Sequence, residues 1–203
     1  MTVEMLADKV RETLDDLFDN FTMNDIDEDT VQEVAENNDL NLCWGATRLC
    51  FMHNECNKVV KVINFIETET DYSDIEVEMY NEAREKNIED MFLPIRKCAT
   101  YYYGNDIEWG LYEQPIIKIV YSGLSMRRLD YFLDKWEYTR EVAAHIMSMN
   151  KDFEKMLYSC YGEEKMMLFR ALCKKYYSYD FHNNNIGFVN DKPVILDYAG
   201  YNE

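Results

Sequence analysis

The chain has 203 residues, of which 47% are hydrophobic, and its formal net charge at pH 7 is −18. This length and apolar content suffice to bury the core of one substantial domain or two small lobes, which excludes a disordered tail. Because so acidic a surface repels phosphate backbones and anionic headgroups, we expect no direct binding to nucleic acid or to a membrane. The same charge is compatible with a basic protein partner.

Residues 1–38 are predicted to form an acidic helical extension. Apolar residues recur at three- and four-residue steps between positions 3 and 21, which predicts an amphipathic helix. A second short helix is predicted over 28–36. Several acidic residues around the linker match a calcium-loop spacing, but Thr30 stands where that loop requires glycine, so helix capping is the better interpretation.

Residues 39–115 are predicted to form a small sheet with one helix. Runs of strand-forming residues separated by polar turns predict strands at 40–43, 47–52, 59–63, 97–103 and 107–112. A helix is predicted between the third and fourth of these strands, over about 73–87. From 116 onward the pattern is mainly helical, with predicted helices over about 125–148 and 151–177.

The six cysteines show no C-x-x-C pair and no matching histidine spacing, so zinc binding is not expected. The sequence contains no signal peptide and no long apolar run. Cysteines that remain thiols are typical of a reducing compartment, and we therefore expect a cytoplasmic protein.

The C-terminal tail carries the residues with the clearest chemical pattern. Asp180 and Asn185 lie five positions apart, and Asp197 follows Asn185 by twelve, at the end of an apolar run. Strand-forming residues at 186–189 and 194–196 flank a turn-forming segment, which predicts a hairpin that brings Asn185 and Asp197 to the same end. Amide and carboxylate oxygens are ligands that Mg²⁺ prefers. The tail therefore predicts a site for magnesium and a nucleotide phosphate.

Two segments of this tail, Asp180-Phe-His-Asn-Asn-Asn185 and Asp197-Tyr-Ala199, resemble the catalytic loop and the metal-binding segment of protein kinases. They are more similar still to those of aminoglycoside-phosphotransferase-like kinases. The predicted order of elements also resembles a kinase N-lobe followed by the first part of a C-lobe. The resemblance covers roughly 40–203 and implies an α+β, kinase-like fold, with a small antiparallel N-lobe sheet carrying one helix over 39–115. A reduced helical C-lobe over 116–203, ending in the catalytic-type hairpin, would follow.

The resemblance implies roles for the polar residues of the tail and of the third strand. It implies that Asn185 and Asp197 bind Mg²⁺, that Asp180 orients or deprotonates the hydroxyl group of a phosphate acceptor, and that Lys61 pairs with nucleotide phosphates. Since Lys61 lies among apolar neighbours, its ammonium is expected to need an acidic partner. Glu76 on the following helix fits best, with Glu78 as the alternative.

The nucleotide contacts are the part in which the sequence departs most from the kinase pattern. The segment at 112–115 occupies the place of the hinge that recognises adenine, so Glu113 is carried over as a nucleotide contact. Only Gly45 remains of the glycine-rich cover over the phosphates, and one glycine permits one close backbone approach. Ser178 replaces the histidine of the catalytic loop. Because the chain stops at Glu203, the resemblance is to a minimal kinase without an activation segment or most of the helical C-lobe.

Two functions follow as expectations. The first is an ATP- and Mg²⁺-dependent phosphotransferase acting on an unidentified protein or small molecule. Catalysis of this type is mainly positioning and charge neutralisation, so a few polar groups suffice. The second is a kinase-like protein with weak or no catalysis, a pseudokinase or an inhibitor. Its acidic surface would bind a basic partner, for example in a viral or mobile-element protein acting on a host nuclease.

Overall fold

The computed structural model describes residues 1–104, 107–117, 151–178, 185–190 and 192–198. These residues form an α+β fold with a five-stranded antiparallel sheet, a two-stranded hairpin and four α-helices. The chain divides into two compact units: Met1–Val77 with Ile95–Ile116, and Glu78–Pro94 with Ile117–Glu203. The helix predicted over about 125–148 lies outside the described residues.

The helices are α1 (Val3–Asn20), α2 (Glu28–Asn37), α3 (Ser73–Glu85) and α4 (Lys151–Lys175). The strands are β1 (Asn41–Trp44), β2 (Arg48–Met52), β3 (Lys58–Ile63), β4 (Arg96–Tyr103), β5 (Ile107–Pro115), β6 (Ile186–Val189) and β7 (Lys192–Ile195). These bounds confirm the elements predicted within the described ranges to within three residues at each end.

The five-stranded sheet in the first unit has the strand order β1-β2-β3-β5-β4. Side chains alternate between the faces of a strand, and directly paired residues share a face. The register therefore gives an apolar face, which we define by the side chains of Leu49, Phe51, Val60, Val62, Trp109 and Leu111. The opposite face, called the polar face, carries Arg48, Cys50, Lys61, Gly110 and Tyr112.

Helices α1 and α2 cover the apolar face. Leu6, Leu14 and Leu17 of α1 are fully buried in the same hydrophobic cluster as the strand residues. Burying one such side chain contributes about 1.5–3 kcal/mol relative to leaving it exposed. The periodicity that predicted α1 from sequence is thus the stripe that packs on the sheet.

An aromatic cluster closes one end of this core. The Phe18 ring of α1 lies 4.3 Å from the ring centroid of Tyr103 and 5.6 Å from that of Trp109. Phe65 stacks on Trp109 at 4.7 Å. Rings at these separations attract one another beyond their area of burial, so the cluster holds the C-terminal half of α1 on the sheet.

Side-chain caps set the beginning of both N-terminal helices. The Thr2 hydroxyl accepts from the Met5 amide at 3.3 Å, and the Asp27 carboxylate accepts from the Thr30 amide at 2.9 Å. Capping satisfies amides that the first helical turn leaves without a carbonyl partner. The interpretation of the acidic linker as helix capping is therefore confirmed at Asp27.

The second unit contains α4, the β6–β7 hairpin and the segment 88–93. Helix α4 is interrupted at Gly162, whose φ of 77° is a conformation that favours glycine. The Leu93 amide donates to the Ile195 carbonyl at 2.7 Å, so the segment 88–93 pairs with β7. Phe92 packs at 5.5 Å from the ring of Phe169 on α4. The hairpin is therefore part of a packed core.

Candidate functional site

The β6–β7 hairpin brings Asn185 and Asp197 to one end. Ile186 pairs with Ile195, and the Leu196 amide donates to the Asn185 carbonyl at 2.9 Å. Asp197 follows Leu196 directly. Asn190 has a φ of 50°, a left-handed conformation that asparagine tolerates and that two-residue hairpin turns require. The ribbon expected from sequence is therefore present with its two oxygen-bearing residues at the same end.

Both residues have surroundings that restrict their movement. Asn185 is 8% exposed and Asp197 is half-buried. Tyr198 is 1% exposed, and its hydroxyl donates to the Leu93 carbonyl at 2.9 Å. Packing on either side thus fixes the backbone that carries the amide and the carboxylate, as a preorganised site requires.

The donor set at this end suits a hard cation. Magnesium in nucleotide sites is held by one or two protein oxygens together with water and phosphate, and an asparagine with an aspartate supplies such a pair. Within the described ranges, no three His, Cys, Asp or Glu side chains converge on a common metal position. A magnesium ion here would therefore depend on ligand phosphates as well as on Asn185 and Asp197. Asp180, predicted to orient the acceptor, lies outside the described residues.

Lys61 lies at the centre of the polar face in the first unit. It pairs with Cys50 on β2 and Tyr112 on β5, and it is 7% exposed. Among the residues that the structure describes, its ammonium has no hydrogen-bond or ion-pair partner. A cation at the end of a largely buried side chain is stabilised by a nearby anion, so this position is suited to an anionic ligand.

The expected ion pair between Lys61 and Glu76 is replaced by a different one. Glu76 lies in the first turns of α3 with its side chain fully buried, and its carboxylate pairs with the Arg48 guanidinium, which is 5% exposed. The assignment of Glu76 as the partner of Lys61 is therefore corrected. The physical reason is that Arg48, at the start of β2, supplies a donor that forms strong, directed bonds to a carboxylate. Glu78, the alternative, is exposed.

A second polar contact joins α3 to the polar face. The Tyr112 hydroxyl donates to the Asp74 carboxylate at 2.6 Å. Burial, followed by the hydrogen bond to Asp74, raises the pKa of Tyr112 well above its usual range. A Cβ atom at Gly110 would overlap the Tyr112 hydroxyl and the adjacent ring carbons, so glycine is what allows the Tyr112 side chain to lie over this position of β5. Sequence reasoning missed Tyr112 and Asp74, although a glycine inside a predicted strand signalled a close approach.

Gly45 contributes to a tight turn. Its amide donates to the Arg48 carbonyl at 3.0 Å, and its own carbonyl accepts from the Asn64 side chain at 2.8 Å. A Cβ atom at Gly45 would lie 2.9 Å from the Arg48 carbonyl oxygen. Both backbone groups of Gly45 are thus engaged within the protein. The expected phosphate contact through its amide is therefore corrected to a structural role in the β1–β2 turn.

Glu113 lies inside β5, with neighbours on both sides. It pairs with Val60 of β3 and with Arg96 of β4, so residues 112–115 are a strand instead of a hinge. Its carboxylate lies on the side of the apolar face and pairs with Arg96 and, at 2.7 Å, with Lys58. The expected nucleotide contact of Glu113 is therefore corrected to a role in holding β3 and β4 to β5.

The charges around Glu113 decide its ionisation. Burial on its own raises the pKa of the carboxyl group, but the hydrogen bonds and positive charges of Arg96 and Lys58 outweigh burial and hold the pKa below its usual value. Both basic groups bind Oε1, and Oε2 is buried with no hydrogen-bond partner among the described residues. The carboxylate is therefore stabilised mainly by its two cationic neighbours.

No protein-family model, curated protein or solved structure matches this chain. In the part of the chain that the structure describes, no helix is both long and apolar enough to cross a membrane. The kinase resemblance consequently rests on the residues themselves and on the order of the elements.

Proposed function

We propose that the protein is a kinase-like phosphotransferase that uses ATP and Mg²⁺ and transfers a phosphoryl group to a protein or small-molecule acceptor. In this proposal Asn185 and Asp197 bind the metal ion, Lys61 neutralises nucleotide phosphates, and Asp180 orients the acceptor hydroxyl. The observation that carries the proposal is the hairpin in which the Leu196 amide bonds to the Asn185 carbonyl, because it aligns an amide and a carboxylate at one end of a fixed ribbon.

The largely buried side chain of Lys61 supports the proposal independently, from the first unit. Arg48 satisfies Glu76, so Lys61 has no carboxylate partner among the described residues. An anion such as a nucleotide phosphate would supply the missing counter-charge. The antiparallel sheet with one helix between its third and fourth strands is also the arrangement that the resemblance implies for a kinase N-lobe.

A thermal-shift measurement with ATP, with Mg²⁺ and with both together tests nucleotide binding. Stabilisation is expected only when ATP and Mg²⁺ are both present, because the metal site depends on ligand phosphates as well as on protein oxygens. At a ligand concentration of about 100 times the Kd, binding stabilises the folded protein by about 2.7 kcal/mol. Asp197→Ala should abolish the shift and lower ATP turnover by at least about a hundredfold. Glu33→Ala, which removes an exposed carboxylate on α2, is the matched control and should leave both unchanged.

Lys61 is tested separately. Lys61→Met should remove the shift produced by ATP while the melting temperature without ligand stays equal or rises, since an unpaired charge on a largely buried side chain is replaced by an apolar group. Lys97→Met, at an exposed position of the same sheet, should retain the shift. Full Mg²⁺-dependent turnover in folded Asp197→Ala, or an unchanged ATP shift in Lys61→Met, would refute the corresponding assignment.

The alternative is a kinase-like binding protein without turnover, and the charge of α1 and α2 favours it. Residues 1–40 contain thirteen aspartate and glutamate residues against two basic ones, and all thirteen are exposed. The use of Gly45 in a turn also removes one phosphate contact from the catalytic proposal. Such an acidic layer would bind a basic protein with a strong dependence on salt.

Polylysine serves as the probe for this alternative. Binding at low ionic strength that is lost at high ionic strength, and that weakens when Asp15, Asp16 and Asp19 are changed to asparagine, would support a docking role. If these results accompany a complete absence of stabilisation by ATP with Mg²⁺, the binding function replaces the phosphotransferase. If ATP with Mg²⁺ stabilises the protein and polylysine does not bind, the binding function is excluded.

A further inference from the structure

Two cysteines face each other across the first two strands of the sheet. Cys43 of β1 pairs directly with Cys50 of β2, and Cys50 in turn pairs with Lys61 of β3. Paired residues share a face, so both thiols and the Lys61 ammonium form one row on the polar face. All six cysteines of the chain are thiols in this structure.

The backbone spacing of the pair is compatible with a disulfide. The Gly45 amide donates to the Arg48 carbonyl, and hydrogen-bonded pairs alternate along antiparallel strands. Cys43 and Cys50 are two positions further on, so they again form a hydrogen-bonded pair, for which Cα atoms are about 5.5 Å apart. This separation lies inside the range of about 4.4–6.8 Å that disulfides span. Closing the bond requires the two Cβ atoms, about 5 Å apart in such a pair, to approach to about 4 Å by a local twist of the edge strand.

The pair is also accessible to reagents. β1 is an edge strand, Cys43 is exposed and Cys50 is half-buried. By contrast Cys56 and Cys173 are buried, and burial raises the pKa of the Cys98 thiol to about 11. Cys160 is exposed but lies on α4, where no cysteine stands opposite it. Among the six thiols, accessibility and a facing partner thus coincide at Cys43 and Cys50.

We propose that Cys43 and Cys50 are a redox-responsive modification site that closes to a disulfide on exposure to a low-molecular-weight disulfide such as oxidised glutathione. The proposal does not depend on the phosphotransferase function, because it rests on the register of β1 and β2. It gives the polar face a covalent modification next to Lys61.

The chemistry proceeds in two exchanges. The Cys50 thiolate, beside the positive charge of Lys61, attacks one sulfur of oxidised glutathione, forms a mixed disulfide and releases one glutathione thiolate. The Cys43 thiolate then attacks the Cys50 sulfur, forms the Cys43–Cys50 bond and releases the second glutathione thiolate. The two protein sulfurs lose two electrons, the glutathione disulfide gains them, and the two thiol protons end on the two glutathione molecules.

Mass spectrometry of the full-length protein after oxidised glutathione provides the test. Arg48 lies between the two cysteines, so trypsin separates them, and a disulfide appears as two joined peptides that reductant releases. Because Cys50 and Cys56 share a tryptic peptide, the measurement is repeated in Cys56→Ser. The expected result is a Cys43–Cys50 link, with a loss of two hydrogen masses, both in the natural chain and in Cys56→Ser. Titratable thiols should fall from six to four in the natural chain.

Matched variants make the outcome decisive. Cys43→Ser and Cys50→Ser should lose the link, and Cys160→Ser, which also removes an exposed thiol, should retain it. The oxidised natural protein should melt at a higher temperature than the reduced one, and reductant should reverse the shift, since the link constrains the unfolded chain. The proposal is overturned if the cysteines carry separate glutathione adducts and no link, or if the link joins Cys43 to Cys56.

Discussion

Both faces of the five-stranded sheet are covered by helices, the apolar face by α1 and α2 and part of the polar face by α3, but the contacts differ. On the apolar face, α1 and α2 cover aliphatic and aromatic side chains, so burial there stabilises the fold through area removed from water. On the polar face, α3 contacts the sheet through an ion pair between Arg48 and Glu76 and a hydrogen bond between Tyr112 and Asp74. A buried ion pair contributes little more net stability than apolar groups of the same volume, although removing only one of its partners is strongly destabilising.

Two lysines of β3 that look alike in sequence have different surroundings on the two faces. Lys58 and Lys61 lie three positions apart in the same strand. Lys58 pairs with Glu113 on the side of the apolar face, whereas Lys61, on the polar face, has no partner in the described part of the chain. The alternation of a strand is what assigns one lysine to structure and leaves the other available to a ligand.

The largest expected effect comes from breaking the buried ion pair. Arg48→Met leaves the fully buried Glu76 carboxylate without its cation and should lower the free energy of unfolding by about 3–5 kcal/mol. Denaturant unfolding measures the loss, and adding Glu76→Leu to Arg48→Met should recover a large part of it. Lys97→Met, which breaks an exposed pair with Glu108 at 3.5 Å, should change stability by less than about 0.5 kcal/mol.

If Arg48→Met lowers the free energy of unfolding by less than Lys97→Met does, the Arg48–Glu76 pair does not hold α3 on the polar face. Failure of the double variant to recover any stability would instead show that Arg48 acts mainly through other contacts.

A somewhat smaller effect is expected on the apolar face. Leu14→Ala removes a fully buried side chain of α1 and should lower the free energy of unfolding by about 3 kcal/mol, because it leaves a cavity against the sheet. Met5→Ala on the same helix is the control, since Met5 is 55% exposed, and it should cost less than about 0.5 kcal/mol. If urea unfolding gives the same loss in the free energy of unfolding for both variants, α1 does not pack on the sheet through its apolar stripe.

The smallest effect is a dependence of stability on pH at the edge of the apolar face. The pKa of Glu113 is held below the usual value of 4.5, so its contribution is complete above about pH 4.5 and is lost as the pH falls through the lowered value. Urea midpoints between pH 6 and pH 3 should fall more steeply for the natural protein than for Glu113→Gln. Glu108→Gln, at an exposed position of the same strand, should follow the natural protein. Parallel midpoint curves for the natural protein and Glu113→Gln would count against the pairing with Arg96 and Lys58.

Local patterns were enough to predict the elements. The stripe of α1, the strand runs and the turn at Asn190 are short-range properties, and the structure confirms them. The alignment of Asn185 with Asp197 was predictable for the same reason, because a short hairpin fixes its own register. The partner of Glu76 was not predictable, because Arg48 lies 28 residues away and meets it only after β2 and α3 have packed.

The sequence by itself determined which of the described segments form helices and strands, the acidity of the N-terminal layer and the two oxygen-bearing residues of the C-terminal ribbon. Only the tertiary structure decided which charges meet: Arg48 with Glu76, and Glu113 with Lys58 and Arg96. The reason is that periodicity and turn chemistry act between near neighbours along the chain, whereas pairing of buried polar groups depends on strand order and register, which distant segments set together.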